Sequence, residues 1–272
     1  MEDYKYSWIA NHFDRICLSL DGDRNAHDFQ RRHTSGTGTY PSVMAALRIL
    51  SENRKIPVIR ITVTRHNAHL LAPIMTHFID DLGLREFQVE PVYRLSVGNA
   101  LYPEPDIFVF NFLRAKKIVS RAGGMINYSG YRSNQQHGPY CNFFKNVLFI
   151  GRRGIASACL FKDDEAIESL FAIGHYDVEA NRFLINTNKV RDLECSAHKL
   201  YLECVRCEVQ DSCVRGCPDL CRLSHEAAYP VTQSLRCRIN RLLFEYEKHE
   251  VYNSGVCSES VSERSDTTNQ YH

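Results

Sequence analysis

This chain of 272 residues contains eleven cysteines, and their type and spacing suit them for chemistry. Nine of them lie between Cys141 and Cys237. The densest stretch reads Cys204-x2-Cys207-x5-Cys213-x3-Cys217. A Cys-x2-Cys pair in a tight turn brings two thiolates to one ion or cluster, and a second pair nearby can complete a four-thiolate shell. Thiols packed this densely without a metal would oxidise readily. The spacing therefore predicts a metal site in this region.

The composition favours metal ligation by these cysteines over disulfides. The chain is 44% hydrophobic and 24% charged, and its net charge of +1 gives no electrostatic reason to expect nucleic acid or an anionic membrane as a partner. It has no run of about 18 apolar residues that would span a bilayer, and residues 1–11 contain no apolar signal core. We therefore expect a cytoplasmic protein, in which cysteines bind metals more often than they pair.

Spacing alone does not name the metal, because four thiolates suit zinc as well as an iron–sulfur cluster. An upstream segment, Cys141-x12-Gly154-x4-Cys159, adds information, and Cys237 follows the dense stretch. This pattern of seven cysteines resembles the SPASM domain of radical S-adenosylmethionine (radical SAM) enzymes. The resemblance implies two auxiliary 4Fe-4S clusters, with zinc as the alternative that the residues alone leave open.

The resemblance also implies which cysteine holds which cluster. By position, one cluster would be ligated by Cys204, Cys207, Cys213 and Cys237. The other would be ligated by Cys141, Cys159 and Cys217, with Cys217 linking the two segments. Some relatives carry an eighth cysteine just upstream, but residues 134–139 contain none, so the second cluster would keep an open iron or take His137. The alternative for His137 is a loop histidine at the surface. Cys195 and Cys221 match no family ligand and are interpreted as structural or surface thiols. Cys17, in a predicted strand, is interpreted as a core residue.

The residues before the cysteines alternate between strand and helix patterns. Apolar and β-branched runs predict strands over 15–20, 57–64 and 85–90, and helical spacing of apolar residues predicts helices over 40–53 and 70–82. Strands separated by helices of this length indicate parallel βαβ units and an α/β fold. Further along, we expect a linker over 95–105, a helix over 106–121, short strands over 146–150 and 155–161, and a helix over 231–250.

The resemblance extends into this part of the chain. The segments Leu18–Gly22, His27-Asp28-x2-Arg31 and Gly36-x-Gly38 look like the fourth strand and following loop of a radical SAM barrel. Residues 59–67 and 87–91 look like its fifth and sixth strands. The implied architecture is a partial (β/α) radical SAM-type barrel of the last three βα units over 1–125. A loop-rich, cysteine-ligated SPASM domain would follow over 126–250, and a disordered tail over 251–272.

Two residues of the barrel match positions that line the S-adenosylmethionine site in the family, namely Ser19 and Arg31. Ser19 is expected near the carboxyl end of a parallel strand, where α/β folds bind ligands, and an arginine can hold a carboxylate in a two-point contact. The alternative is that Ser19 is a buried strand hydroxyl and Arg31 a solvated loop charge.

The sequence departs from the family at two points. The chain contains no Cys-x3-Cys-x2-Cys motif, which holds the radical-initiating cluster in the family, and the likeness begins only about fifteen residues into the chain. The chain is therefore expected to be a fragment, to pair with a chain that supplies the first half of the barrel, or to have lost the radical chemistry. In addition, Leu160 stands where sulfatase-maturing relatives have a catalytic aspartate, which disfavours sulfatase maturation.

These observations lead to one leading hypothesis. The chain would be the C-terminal, auxiliary-cluster-bearing part of a radical SAM/SPASM maturase, with clusters that anchor a peptide or protein side chain or accept an electron from it. S-adenosylmethionine would bind only with the missing N-terminal half. The alternative is a non-enzymatic peptide-binding or scaffold module with iron–sulfur or zinc as a structural staple, so the sequence leaves open whether the chain is itself an enzyme.

Overall fold

A computed structural model describes residues 3–92, 101–133, 148–159, 171–215 and 234–256. The N-terminal half builds a four-stranded parallel sheet in the order β1-β2-β3-β4. The strands are β1 (Cys17–Ser19), β2 (Val58–Val63), β3 (Glu86–Pro91) and β4 (Met125–Asn127). The helices of this half are α1 (Asp3–His12), α2 (Arg24–Gln30), α3 (Tyr40–Glu52), α4 (Leu71–Asp80) and α5 (Pro105–Arg121). The predicted α/β fold with parallel strands is confirmed.

Strand register gives this sheet one apolar and one polar face, because successive side chains of a strand point to opposite sides. One row of paired residues is apolar and consists of Leu18, Ile59, Phe87 and Ile126. The next row is polar and consists of Ser19, Arg60, Gln88 and Asn127. The apolar face packs on the helices, so ligand-binding chemistry on this sheet is confined to the polar face and to the strand ends.

The main core lies between the apolar face and helices α4 and α5. The buried positions of α4 recur at helical spacing, which points one stripe of the helix at the sheet. They are Leu71, Ile74, Met75, Phe78 and Ile79. Phe78 stacks on Phe87 of β3 with ring centroids 6.2 Å apart, and α5 begins with Pro105 in its first turn, where a missing N–H is tolerated.

The C-terminal half contains a second, antiparallel sheet with the order β5-β6-β7-β8. Its strands are β5 (Phe149–Ile150), β6 (Ile155–Ser157), β7 (Ala172–Asp177) and β8 (Arg182–Ile185). Helix α6 (Thr187–Leu200) follows, then two short 3-10 turns, Tyr201–Cys204 and Gln210–Ser212, and then α7 (Leu235–Val256). Ile239 and Leu243 of α7 are buried in the main core, and the last helix packs on the N-terminal half through α5.

The structure adds elements to those predicted and extends the last helix. Helices α1, α2 and α6, strands β4, β7 and β8 and the two 3-10 turns were not predicted, whereas the other helices and strands overlap their predicted ranges. Helix α7 continues through Val256, past residue 250 where the helical stripe was predicted to end, and no proline interrupts those six residues. Residues 257–272 lie outside the described residues. No helix in the described part of the chain is long and apolar enough to cross a membrane.

Candidate metal centre

The four cysteines predicted to hold one cluster line a single pocket. They are Cys204, Cys207, Cys213 and Cys237. The Cys-x2-Cys pair forms a tight turn, in which the N–H of Cys207 donates to the carbonyl of Cys204 at 3.1 Å. The third cysteine follows the 3-10 turn Gln210–Ser212, and Cys237 lies in the first turn of α7. None of the seven cysteines in the described residues forms a disulfide.

Nitrogen atoms of three residues donate hydrogen bonds to these sulfur atoms. The amide Nδ2 of Asn240 donates to Cys213 Sγ at 3.0 Å, and the backbone N–H of Arg215 donates to the same sulfur at 3.4 Å. Arg241 Nη2 donates to Cys207 Sγ at 3.9 Å and also hydrogen-bonds to Cys237. Residues 237, 240 and 241 are three and four positions apart on α7, so one helix face presents a ligand and two donors to the pocket.

Burial makes two of these thiols, Cys204 and Cys237, weaker acids than an ordinary cysteine. It raises the pKa of Cys204 to about 11, and it raises the pKa of Cys237 although the nearby guanidinium of Arg241 opposes the shift. In turn, the thiolate of Cys237 raises the pKa of Arg241. Because metal ligands must be deprotonated, binding at this pocket has to release protons from the thiols, and Arg241 supplies the positive charge that favours the thiolate form.

The donor set fits a thiolate-ligated metal group, with four sulfurs and several N–H donors around one pocket. Within the described ranges, no three or more His, Cys, Asp or Glu side chains are arranged so that they could hold a metal ion. A single zinc ion needs all four sulfurs about 2.3 Å from one point. A 4Fe-4S cluster takes one thiolate on each iron, and therefore needs its ligands farther apart.

The other predicted cysteine ligands are only partly within the described residues. Cys159 follows β6, is half-buried against the core of the second sheet, and donates its N–H to Ser157 Oγ at 3.1 Å. Cys141, Cys217 and Cys221, together with His137 and Leu160, lie outside the described residues, so the ligand set of the second cluster stays a prediction. Cys195 is exposed on α6.

The interpretation of Cys17 as a core residue is wrong, because the structure places this thiol at an exposed position. Cys17 begins β1, at the edge of the parallel sheet, and two positions separate it from Ser19 on the polar face. Alternation along the strand therefore puts Cys17 on the polar face too, whereas Leu18 packs against the core.

The two residues predicted to bind S-adenosylmethionine lie at different places around the first sheet. Ser19 is a half-buried residue of the polar face and pairs in register with Arg60. Arg31 follows α2 and makes a two-point contact with Asp21, through Nε at 2.6 Å and Nη2 at 3.3 Å. The geometry expected of an arginine that holds a carboxylate is thus present, but the carboxylate belongs to the protein. The ligand-binding role of both residues stays a prediction.

Sequence reasoning missed the buried polar cluster that forms around Asp21 at the carboxyl ends of β1 and β2. The side chain of Asp21 is 1% exposed, and its Oδ1 accepts the N–H of Thr62 at 2.7 Å. Its backbone carbonyl accepts Nδ2 of Asn67 at 2.9 Å. The signal in the sequence is an aspartate directly after a buried strand and before Gly22, which is where α/β folds place functional side chains.

His27 is, like Asp21, a fully buried titratable residue of this polar cluster, and its hydrogen bonds fix its tautomer. Its Nδ1 accepts the N–H of Asp21 at 3.2 Å, so the proton lies on Nε2, which donates to Thr39 Oγ1 at 2.9 Å. Burial lowers the pKa of His27 from its usual 6.5, and Arg31 adds to the shift although Asp21 opposes it. The folded protein therefore holds a neutral imidazole at this position.

We expect this histidine to make the fold less stable in mild acid. The unfolded chain takes up a proton at His27 near pH 6.5 and the folded chain only at lower pH, so the unfolded state binds more protons in between. The stabilising contribution is complete above about pH 6.5 and declines as the pH falls from there through the folded pKa. Urea unfolding between pH 5 and 8 measures it. His27→Gln should reduce the dependence of the free energy of unfolding on pH, whereas His33→Gln, at an exposed position, should not. Equal pH dependence in the wild type and both variants would contradict the assignment.

Comparison with known proteins supports the fold. The chain matches no protein-family model and no curated protein. It is similar to solved structures of anSMEcpe, an anaerobic sulfatase-maturating radical SAM/SPASM enzyme. For native anSMEcpe with bound AdoMet, the TM-score is 0.66 at 15% identity, over 93% of this chain and 71% of that one. For the same enzyme with bound AdoMet and the Kp18Cys peptide, the TM-score is 0.64 at 15% identity, over 93% of this chain and 72% of that one. This chain thus has a mixed α/β fold similar to that of a radical SAM maturase.

Proposed function

We propose that Cys204, Cys207, Cys213 and Cys237 hold an auxiliary 4Fe-4S cluster, and that the chain is the cluster-bearing part of a radical SAM/SPASM maturase acting on a peptide or protein side chain. The observation that carries this proposal is the single pocket lined by the four thiols. The likeness of the fold to anSMEcpe supports the enzyme class, and the bound peptides in two of those structures support a peptide as the substrate.

An iron–sulfur cluster is favoured over zinc by the wider cysteine pattern, in which Cys141-x12-Gly154-x4-Cys159 precedes the dense stretch and Cys237 follows it, as in a SPASM domain. The N–H donors from Asn240, Arg241 and the backbone of Arg215 point at sulfur atoms. Hydrogen bonds to sulfur are one of the means by which proteins tune the reduction potential of such clusters.

The residues of the pocket have separable roles in this proposal. The four thiolates hold the cluster, and Arg241 offsets their negative charge. Asn240 joins the pocket to the rest of the fold, because its Nδ2 donates both to Cys213 Sγ at 3.0 Å and to the carbonyl of Gly130 at 2.7 Å. When bound, the cluster would supply one-electron redox chemistry or a coordination site for the substrate.

The same proposal covers the remaining predicted features. A second cluster would be held by Cys141, Cys159 and Cys217, within a SPASM domain over 126–250 that follows a partial barrel over 1–125. Ser19 and Arg31 would contact S-adenosylmethionine once the first half of the barrel is supplied. Leu160 follows Cys159 in the sequence, and a hydrocarbon side chain cannot act as a base. We therefore propose a side-chain modification other than the sulfatase maturation carried out by anSMEcpe.

The auxiliary role predicts that this chain does not cleave S-adenosylmethionine by itself. Reconstituted with iron and sulfide, reduced with dithionite and incubated anaerobically with S-adenosylmethionine, the 272-residue chain should form no 5′-deoxyadenosine, because its sequence contains no Cys-x3-Cys-x2-Cys motif. A radical SAM enzyme that carries the motif, treated in parallel, is the positive control. Catalytic formation of 5′-deoxyadenosine by the chain alone would overturn the auxiliary assignment.

A non-enzymatic peptide-binding module is the second candidate, and one observation favours it. The guanidinium of Arg31 is already engaged by Asp21 and by Thr62 Oγ1 at 3.0 Å, so two of its nitrogens are committed within the protein. In such a module the metal group is a structural staple, since metal ligation contributes on the order of 10 kcal/mol to folding. Such a staple has no redox role, so the two candidates differ in whether the bound group takes up an electron and returns it.

A further inference from the structure

A second cavity, of about 420 Å³, lies between α5, β4 and α7. Its volume is within the range of sites that bind small molecules or single side chains. Part of its wall is apolar and is formed by Phe112, Leu113, Ile126 and Leu243. The rest of the lining is polar or charged. The cavity therefore suits a ligand with an apolar part next to a polar or charged group.

Two cations in this cavity lack an ionic partner. Lys116 of α5 and Arg132, which follows β4, line the cavity and are exposed, and neither forms an ion pair with any residue that the structure describes. An acidic side chain, Glu247, also lines the cavity, but it accepts a hydrogen bond from the hydroxyl of Tyr131 at 2.6 Å. Burial raises the pKa of Tyr131, so this hydroxyl stays a donor. Glu90, which accepts hydrogen bonds from Gln88 and Ser129 of the lining, is likewise engaged within the protein. Two unpaired cations beside two engaged carboxylates leave the cavity able to accept an anion.

Neutral hydrogen-bonding groups are held in place beside these cations. Oε1 of Glu90 accepts Nε2 of Gln88 at 2.5 Å and the backbone N–H of Ser129 at 2.9 Å, which fixes the β3 side of the cavity. Asn127 lines the cavity from β4 and is exposed. A ligand would thus meet hydrogen-bonding groups on the β3 side that are already held in place.

The wall of this cavity is joined directly to the cysteine pocket. Tyr131 forms an isolated β-bridge with Cys213, and the N–H of Arg132 donates to the carbonyl of Ser212 at 3.0 Å. The carbonyl of Gly130 accepts Nδ2 of Asn240, which also donates to Cys213 Sγ. The segment that carries Arg132 is therefore clamped to a cysteine of the proposed cluster, so a ligand in the cavity would lie beside that cluster.

We infer that this cavity recognises a carboxylate attached to an apolar stem, as presented by an acidic residue of the peptide substrate. Arg132 can contact a carboxylate at two points, and Lys116 adds a second positive charge. The apolar wall receives the stem of the side chain. The inference rests on the proposed function in taking the ligand to be part of the peptide. A free small carboxylic acid would present the same chemistry from another source.

Isothermal titration calorimetry on the purified full chain tests the inference with three ligands. They are the peptide acetyl-Ala-Glu-Leu-amide, its counterpart with glutamine in place of glutamate, and glutarate. The glutamyl peptide is expected to bind about tenfold more tightly than the glutaminyl peptide, because only the carboxylate makes charge-assisted hydrogen bonds. Lys116→Ala and Arg132→Ala should each weaken binding of the glutamyl peptide about tenfold. Arg121→Ala, on the same helix and outside the cavity lining, is the matched control and should leave binding unchanged.

The outcomes separate this inference from the proposed function. Equal binding of the two peptides, or binding unaffected by both Lys116→Ala and Arg132→Ala, would overturn the carboxylate site. Glutarate binding more tightly than the glutamyl peptide would overturn the peptide as its source. Iron and sulfide are assayed in the same samples. A chain that prefers the glutamyl peptide but holds neither iron nor sulfide would contradict the proposed cluster while supporting the cavity.

Discussion

Replacing Cys213 with alanine is expected to remove one cluster from the protein, a loss of about four irons and four sulfides per chain. Cys213 is one of the four thiols of the pocket and receives hydrogen bonds from Asn240 and Arg215. With three thiolates left, one iron of the cluster loses its protein ligand. Because metal ligation contributes on the order of 10 kcal/mol to folding, the thermal stability of the C-terminal half should fall as well.

The measurement is iron and acid-labile sulfide per chain after anaerobic purification, with far-ultraviolet circular dichroism to monitor folding. Cys195→Ala is the matched control, since Cys195 is exposed on α6 and does not line the pocket. Cys204→Ala is the second variant, in case Cys213→Ala fails to fold, because Cys213 packs against the main core and Cys204 is not among the residues that do. Wild-type iron and sulfide in both pocket variants would show that the cluster is bound elsewhere.

Replacing Asp21 with alanine is expected to lower the free energy of unfolding by about 3–5 kcal/mol. The carboxylate is buried and accepts hydrogen bonds from Arg31 at 2.6 Å and from the N–H of Thr62 at 2.7 Å. Its removal leaves a guanidinium and a backbone N–H without their acceptor, next to the buried imidazole of His27. Asp21→Asn keeps the shape and one acceptor oxygen, so it should destabilise the protein less than alanine does.

Denaturant unfolding followed by circular dichroism measures the effect. Glu86→Gln is the control, because it breaks the Arg15–Glu86 ion pair, whose side chains are 76% and 46% exposed, and such surface pairs contribute less than about 1 kcal/mol. A change below about 1 kcal/mol in Asp21→Ala would mean that the carboxylate is not the centre of the polar cluster. The role of Arg31 would then have to be sought in ligand binding alone.

The sequence predicted elements of the fold wherever local pattern and tertiary environment agree. The β-branched run of β2 and the apolar stripe of α4 are both consequences of burial against the same core. Helix α1 was missed because its apolar residues show no helical stripe, and Trp8 remains 53% exposed. Strands β7 and β8 were missed because they pair with each other and with β6 through contacts that no short window of sequence contains.

In the candidate metal site, too, only the features that depend on local sequence could be predicted. The Cys-x2-Cys turn is local, so its geometry follows from the spacing of Cys204 and Cys207. The approach of Asn240 to Cys213 depends on where α7 packs, 27 residues further along the chain. The pairing of Arg31 with Asp21 likewise depends on burial of that carboxylate beside Thr62 of β2. Sequence reasoning therefore named the arginine and missed its partner.

The central claim, that four cysteines of this chain hold an iron–sulfur cluster, is tested most directly by metal and sulfide analysis of the anaerobically purified protein, together with its visible spectrum. We expect a brown protein with iron and acid-labile sulfide in equal amounts, at least about four of each per chain, that bleaches on reduction and recovers on reoxidation. A colourless protein with stoichiometric zinc and no sulfide would contradict the claim.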